Sequence, residues 1–253
     1  MKIISEKEAR LIQSNWQKLR QEHIISAFEV FDESQGEYNR ITARDFGGIS
    51  EEFMGALEAL GKTPSDSLSL CLGIDTETEK AEVFWEFYID GAKTYIGGDG
   101  DRFITFISPN YNPTQPRMGE SVNYKNEVCA NWANISYFEM NAIFFVMLQN
   151  PDEKIHGAEV FLKRPRRVLK FMIPQADIDV MKETCNTDKS LLVHYGVNYG
   201  DAARQMIPFV PLIQIYTPVV QGVGGMADED DPNSTYLDFV GTCPPICPDG
   251  GPN

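Results

Sequence analysis

Histidine is scarce in this chain: His23, His156 and His194 are the only three. They are too few and too scattered for a histidine-rich metal centre. Common catalytic signatures are missing as well. No Gly-x-Gly-x-x-Gly opens a helix, and no complete phosphate-loop Gly-x-x-x-x-Gly-Lys-Ser/Thr, His-Glu-x-x-His or Gly-x-Ser-x-Gly occurs. No apolar run approaches the roughly 18–20 residues that span a bilayer, so no membrane association is expected. The opening Met-Lys-Ile-Ile-Ser-Glu-Lys-Glu enters a charged helix and not an apolar leader, which predicts a cytoplasmic protein. Basic residues are outnumbered, 22 against 37 acidic, for a net charge of −15. That field repels a phosphate backbone, so no nucleic-acid partner is expected. Cysteines 71, 129, 185, 243 and 247 are odd in number and widely spread, unlike a disulfide framework and in keeping with a reducing compartment.

What is present is a repeat. Ser67–Ile74 (Ser-Leu-Ser-Leu-Cys-Leu-Gly-Ile) returns at Ser190–Val197 (Ser-Leu-Leu-Val-His-Tyr-Gly-Val), with leucine, glycine and a closing β-branched residue at the same spacing. Leu68, Leu70, Leu72 and Ile74 alternate with smaller residues, which predicts a strand with one face buried. Leu191, Val193, Tyr195 and Val197 make the same face in the second stretch.

Neighbouring signals recur in the same order. Ser5 with Glu8 forms a capping box with Ile4 in the staple position, ahead of Ala9, Ile12, Trp16 and Leu19 on one helical face. Ser136 with Glu139 repeats the device after Ile135. Strands are expected at 27–31 and 157–161, the second followed by a turn at Lys163–Arg166 and a return arm at 168–171. A second helix is expected after Ser50 and after Pro174. Further strands are expected at 83–89 and 209–216, where Pro208, Pro211 and Pro218 suggest an edge or a bulge. Last strands are expected at 103–107 and 236–240, matched to each other.

The expected architecture is therefore α+β: an internal duplication of a helix–hairpin–helix–strands unit, mainly antiparallel, with helices packed on one sheet face and a pseudo-twofold relation between copies. The copies are read as 1–107 and 135–253, joined by a connecting segment at 108–134, the second ending in a Gly/Pro/Asp-rich loop and a Cys/Pro-rich C-terminus. No residue pattern is specific enough to name a family.

Each candidate for chemistry has a plainer competitor. The repeat sets Cys71 against His194; a thiol beside an imidazole can become a nucleophile, whereas a packed cysteine and a hydrogen-bonded histidine explain them equally. Trp85, Tyr88, His194 and Tyr195 are candidate ligand contacts, though strand aromatics commonly pack a core. Asp99 and Asp101 sit in a Gly-Gly-Asp-Gly-Asp turn that lacks the later ligands of a calcium loop. Cys243 and Cys247 offer half of a zinc site with no spaced partners. A basic run, Lys163, Arg164, Arg166, Arg167 and Lys170, reads as a solvated turn or as a contact for an acidic partner. The expectation is a non-catalytic protein with no cofactor, binding a partner protein or small ligand between the repeats. The alternatives are an enzyme with a Cys/His pair in that cleft and a Ca²⁺- or Zn²⁺-dependent fold.

Overall fold

Period-two alternation and well-placed helix caps build most of the architecture. The structure is a computed structural model and describes residues 1–98, 103–104, 121–140, 142–154, 161–199, 208–218 and 235–238. In chain order its elements are β1 (Lys2–Ile4), α1 (Glu6–Lys18), α2 (Gln21–Ala27), β2 (Glu29–Asp32), β3 (Glu37–Arg40), β4 (Ala43–Gly48), α3 (Glu51–Ala59), β5 (Ser67–Ile74), β6 (Ala81–Ile89), β7 (Ala92–Gly97), β8 (Phe103–Ile104), α4 (Ser121–Asn134), α5 (Tyr137–Met140), β9 (Phe145–Lys154), β10 (Phe161–Arg167), β11 (Lys170–Met172), α6 (Gln175–Thr184), β12 (Ser190–Val197), β13 (Phe209–Tyr216) and β14 (Thr235–Asp238). Ser5 and Ser50 cap α1 and α3 by accepting from the backbone N–H three residues on, as their sequences predict.

Two five-stranded antiparallel sheets form, one in the order β1-β7-β6-β5-β11, the other β14-β13-β12-β4-β8. Two separate ribbons, β2-β3 and β9-β10, complete the strands among the described residues. Leu68, Leu70, Leu72 and Ile74 of the first sheet and Leu191, Val193, Tyr195 and Val197 of the second line one continuous core.

Helices occupy both faces of the sheets, not the single face read from the sequence. On the outside, α1 lies on β5 and α4 on β12. A Cβ at Gly73 would stand 2.1 Å from Ile12 Cγ2, and one at Gly196 would stand 2.8 Å from Val128 Cγ2. The glycine shared by the two repeated stretches is thus the notch that lets each helix approach its strand. On the inside, α3 packs against α6 and sends Phe53 between Trp85 and Phe87.

Several elements differ from the sequence reading. Residues 121–134, expected within a connector, form α4. The basic residues 163–166, expected as a turn, lie inside β10 and pair with Val146–Gln149. The arm expected at 168–171 does not return along that ribbon; residues 170–172, as β11, pair with β5. Strand β4 was hidden because Ala43-Arg44-Asp45 has no apolar alternation. β13 is flanked by β12 and β14, which among the described residues pairs with Leu212–Ile215. β14 pairs with β13, and β8, within the strand expected at 103–107, pairs with β4. Among the described residues no helix is long and apolar enough to cross a membrane.

Candidate functional site

Strand alternation sorts the candidate side chains at once. Trp85 and Tyr195 project from facing sheets into the shared core, both fully buried. Tyr88 and His194 fall on the opposite, outer faces of their strands. The four proposed ligand contacts therefore split into two inner and two outer residues.

Cys71 and His194 are likewise separated. Cys71 belongs to the first sheet, packed under α1 with Ile4, Ala9, Ile12, Phe84 and Tyr95. His194 belongs to the second sheet, its Nε2 2.7 Å from Gln214 Oε1, which makes the imidazole nitrogen the donor. No hydrogen bond joins the pair among the described residues. Burial pushes the Cys71 thiol well above its usual range and, with Lys125 nearby, holds His194 down to about 3. A protonated thiol and a neutral, already bonded imidazole lack what nucleophilic catalysis needs.

A buried ion pair that the sequence did not flag joins the two sheets. Arg44 on β4 crosses between the sheets and donates from Nε to Glu82 Oε1 at 2.9 Å, with side-chain exposures of 3% and 12%. The same carboxylate oxygen accepts from Val83 N at 3.1 Å. Gly98 makes room for the guanidinium; a Cβ there would stand 2.8 Å from Nη2. Burial raises the Glu82 carboxyl to about 7, against the opposing pull of Arg44. The only hint was a lone arginine in the otherwise small and apolar Ile41–Gly48 stretch, and its partner lies too far along the chain for spacing to reveal.

Tyr195 lies within the electrostatic reach of both partners of this ion pair, whereas Trp85 falls on the opposite face of β6 from Glu82. Tyr195 is ringed edge-on by Phe28 at 5.7 Å and Trp132 at 5.6 Å. Burial first, then Glu82, keeps its phenol protonated. Trp85 follows Glu82 by three residues on β6 and rests on Phe46, two residues on from Arg44, at 5.8 Å between ring centroids. Tyr195 Oη and Trp85 Nε1 are both buried and have no hydrogen-bond partner among the described residues. Leaving such a group unmet costs about 1–3 kcal/mol.

No group of three or more His, Cys, Asp or Glu side chains is gathered as a metal would require among the described residues. Asp99, Asp101, Cys243 and Cys247 lie outside them. Cys71, Cys129 and Cys185 form no disulfide among the described residues. No family model, curated protein or solved structure matches the chain.

Proposed function

We propose that this protein is a non-catalytic binding protein, a duplicated α+β scaffold that takes a small polar ligand between its two repeats. The observation that carries this reading is the pair of orphaned groups, Trp85 Nε1 and Tyr195 Oη, both buried in the core between the sheets, the second close to the Arg44–Glu82 ion pair. The tryptophan can only donate and the tyrosine can donate or accept. A small molecule with an acceptor for the first and a hydroxyl, amide or carbonyl for the second fits that chemistry. An internal water is the competing occupant.

Support for the duplication comes from contacts that recur across the chain. Trp16 Nε1 donates to Val168 O at 2.7 Å, and Trp132 Nε1 donates to Ile41 O at 2.8 Å. Arg167 donates to Trp16 O and stacks over its ring; Arg40 does both to Trp132. Ile41 N donates to Phe28 O as Val168 N does to Phe144 O, and Phe28 and Phe144 stack within 6° of parallel, where a pseudo-twofold axis would pass. This register sets α1 against α4, not against the capping box at Ser136. It also makes β4 and β11 exchanged strands, each completing the other repeat's sheet.

Native mass spectrometry of the protein purified without denaturation tests the ligand. The wild type is expected to carry a small-molecule mass that Tyr195→Phe and Trp85→Phe lose. A wild-type mass equal to the bare chain, together with Tyr195→Phe equal or greater in stability, would assign the orphans to structure alone.

A further inference from the structure

The two ribbons outside the sheets carry opposite charge. In β2-β3 and its turn, Glu29, Asp32, Glu33 and Glu37 stand against a single base, Arg40. The base of this ribbon is committed, with Arg40 over Trp132 and 3.7 Å from Glu29. The tip is ordered. Asp32 Oδ1 accepts from Ser34 N at 2.8 Å and from Gln35 N at 3.3 Å, and Gly36 takes the left-handed conformation at φ 70°. Glu33 and Glu37 are exposed and make no ion pair among the described residues. Beside them Phe31 and Tyr38 face each other across the strands at 5.1 Å, 49% and 64% exposed. An exposed ring pair flanked by free carboxylates is a surface suited to guanidinium groups, which stack on rings and pair with carboxylates at once.

The other ribbon supplies guanidinium groups. β10 reads Phe-Leu-Lys-Arg-Pro-Arg-Arg, with four basic residues and no acidic one. Its cross-strand partners from Phe145 to Gln149 carry no charge, and although β9 ends in Asp152, Glu153 and Lys154, the ribbon keeps five basic residues against two acidic ones. Arg167 is spent on Trp16, while Arg166 is exposed with no ion pair among the described residues. A protein of net charge −15 has no general reason to hold a basic ribbon, and that same charge opposes a nucleic-acid partner. Lysine and proline on a strand edge also blunt strand addition, so the contact this ribbon suits is made by side chains and not by extending a sheet.

We propose that the acidic ribbon β2-β3 of one copy docks on the basic ribbon β9-β10 of a second copy. The two surfaces differ, so the contact is head to tail and yields rings or chains, not a symmetric dimer. The reading is independent of any ligand between the sheets.

Sedimentation velocity on the wild type at about 0.05 M and about 1 M salt tests it, because exposed pairs are screened at the higher value. Assemblies at low salt that dissociate at high salt are expected. Glu33→Lys with Glu37→Lys makes both ribbons basic; Lys163→Glu, Arg164→Glu and Arg166→Glu together make both acidic. Each variant alone is expected to be monomeric, and an equimolar mixture is expected to assemble again, which also shows that both variants fold. Should the multiple variants misfold, Glu37→Lys and Arg166→Glu singly each weaken assembly about tenfold or more, and their mixture recovers part of it. A wild type that stays monomeric at low salt overturns the proposal, as does assembly unaffected by either substitution set. Binding of a labelled single-stranded oligonucleotide that only the β10 variant loses, without self-assembly, would overturn it in favour of nucleic acid.

Discussion

Beneath α1, Cys71 packs among apolar side chains while Glu86 is held by Lys93 at 3.1 Å and Lys170 at 2.8 Å. Beneath α4, the matching positions carry His194 and Gln214, bonded to each other, with buried Lys125 close by. Burial alone would raise the Glu86 carboxyl, but the two lysines more than offset it and hold it below its ordinary value. One slot holds a lysine-clamped carboxylate and the other an imidazole–amide hydrogen bond beside a buried lysine. The contacts that frame the slots do not vary in this way. The tryptophan N–H to carbonyl bond, the arginine over the tryptophan and the glycine notch appear on both sides with the same partners. Framing contacts are made to backbone, which every sequence supplies; the filling is made side chain to side chain, and any satisfied set serves.

The glycine notches break this comparison most severely. Gly73→Ala would drive a methyl into Ile12 Cγ2, with the Ile12 carbonyl also only 3.3 Å away, so α1 must lift from β5. We expect a loss of about 3 kcal/mol in chemical denaturation, the upper end for overpacking. Gly196→Ala meets Val128 Cγ2 at 2.8 Å and Val210 O at 3.1 Å, a milder clash, and should cost about half as much. Equal losses would mean that the two helices are seated alike, against the difference in approach at the two glycines.

Second in size are the tryptophan bonds. Trp16→Phe and Trp132→Phe each strand a buried carbonyl, of Val168 and Ile41, and each should cost about 2 kcal/mol. Equal losses fit two equivalent frames, whereas a negligible loss at either site would remove that frame from the comparison.

The parts of this fold that were legible in the sequence are those set by local pattern. The leucine alternation of β5 and β12 gave their inner and outer faces, and Ser5 and Ser50 marked helix starts. What was not legible depends on pairing at a distance. Nothing in Ala43-Arg44-Asp45 marks a strand until β12 lies beside it, and nothing in Lys163–Arg166 separates a turn from a strand until Phe145–Gln149 does. The placing of β4 and β11 in opposite sheets follows from tertiary contacts alone. The candidate site divides the same way. Trp85 and Tyr195 could be named from aromatic strand positions, but Arg44 and Glu82 meet only through the packing of one sheet on the other. Cys71 and His194 held matching places in the repeated stretches, and the structure sets them in separate sheets.

A pH-dependent contrast concerns two buried titrating groups, Glu82, paired with Arg44 of the other sheet, and His194 under α4. Glu82 is raised from 4.5 to about 7, so the folded protein holds its proton where the unfolded chain has released it. Its contribution is fully present below about pH 4.5 and is lost as pH rises toward 7. His194 is lowered from 6.5 to about 3, so the unfolded chain binds the proton that the folded one refuses. Its contribution is present above about pH 6.5 and is lost as pH falls toward 3. Between about pH 4.5 and 6.5 the two slopes oppose and nearly cancel. His194→Gln should unmask the Glu82 slope, with stability falling as pH rises by up to about 1.4 kcal/mol per unit relative to wild type. Glu82→Gln should give the mirror image, with stability rising with pH over the same window. Urea unfolding at half-unit steps reads both slopes. Variants that keep the wild-type slope would mean that neither group titrates differently on folding, and the contrast between the two buried sites would then be one of packing alone.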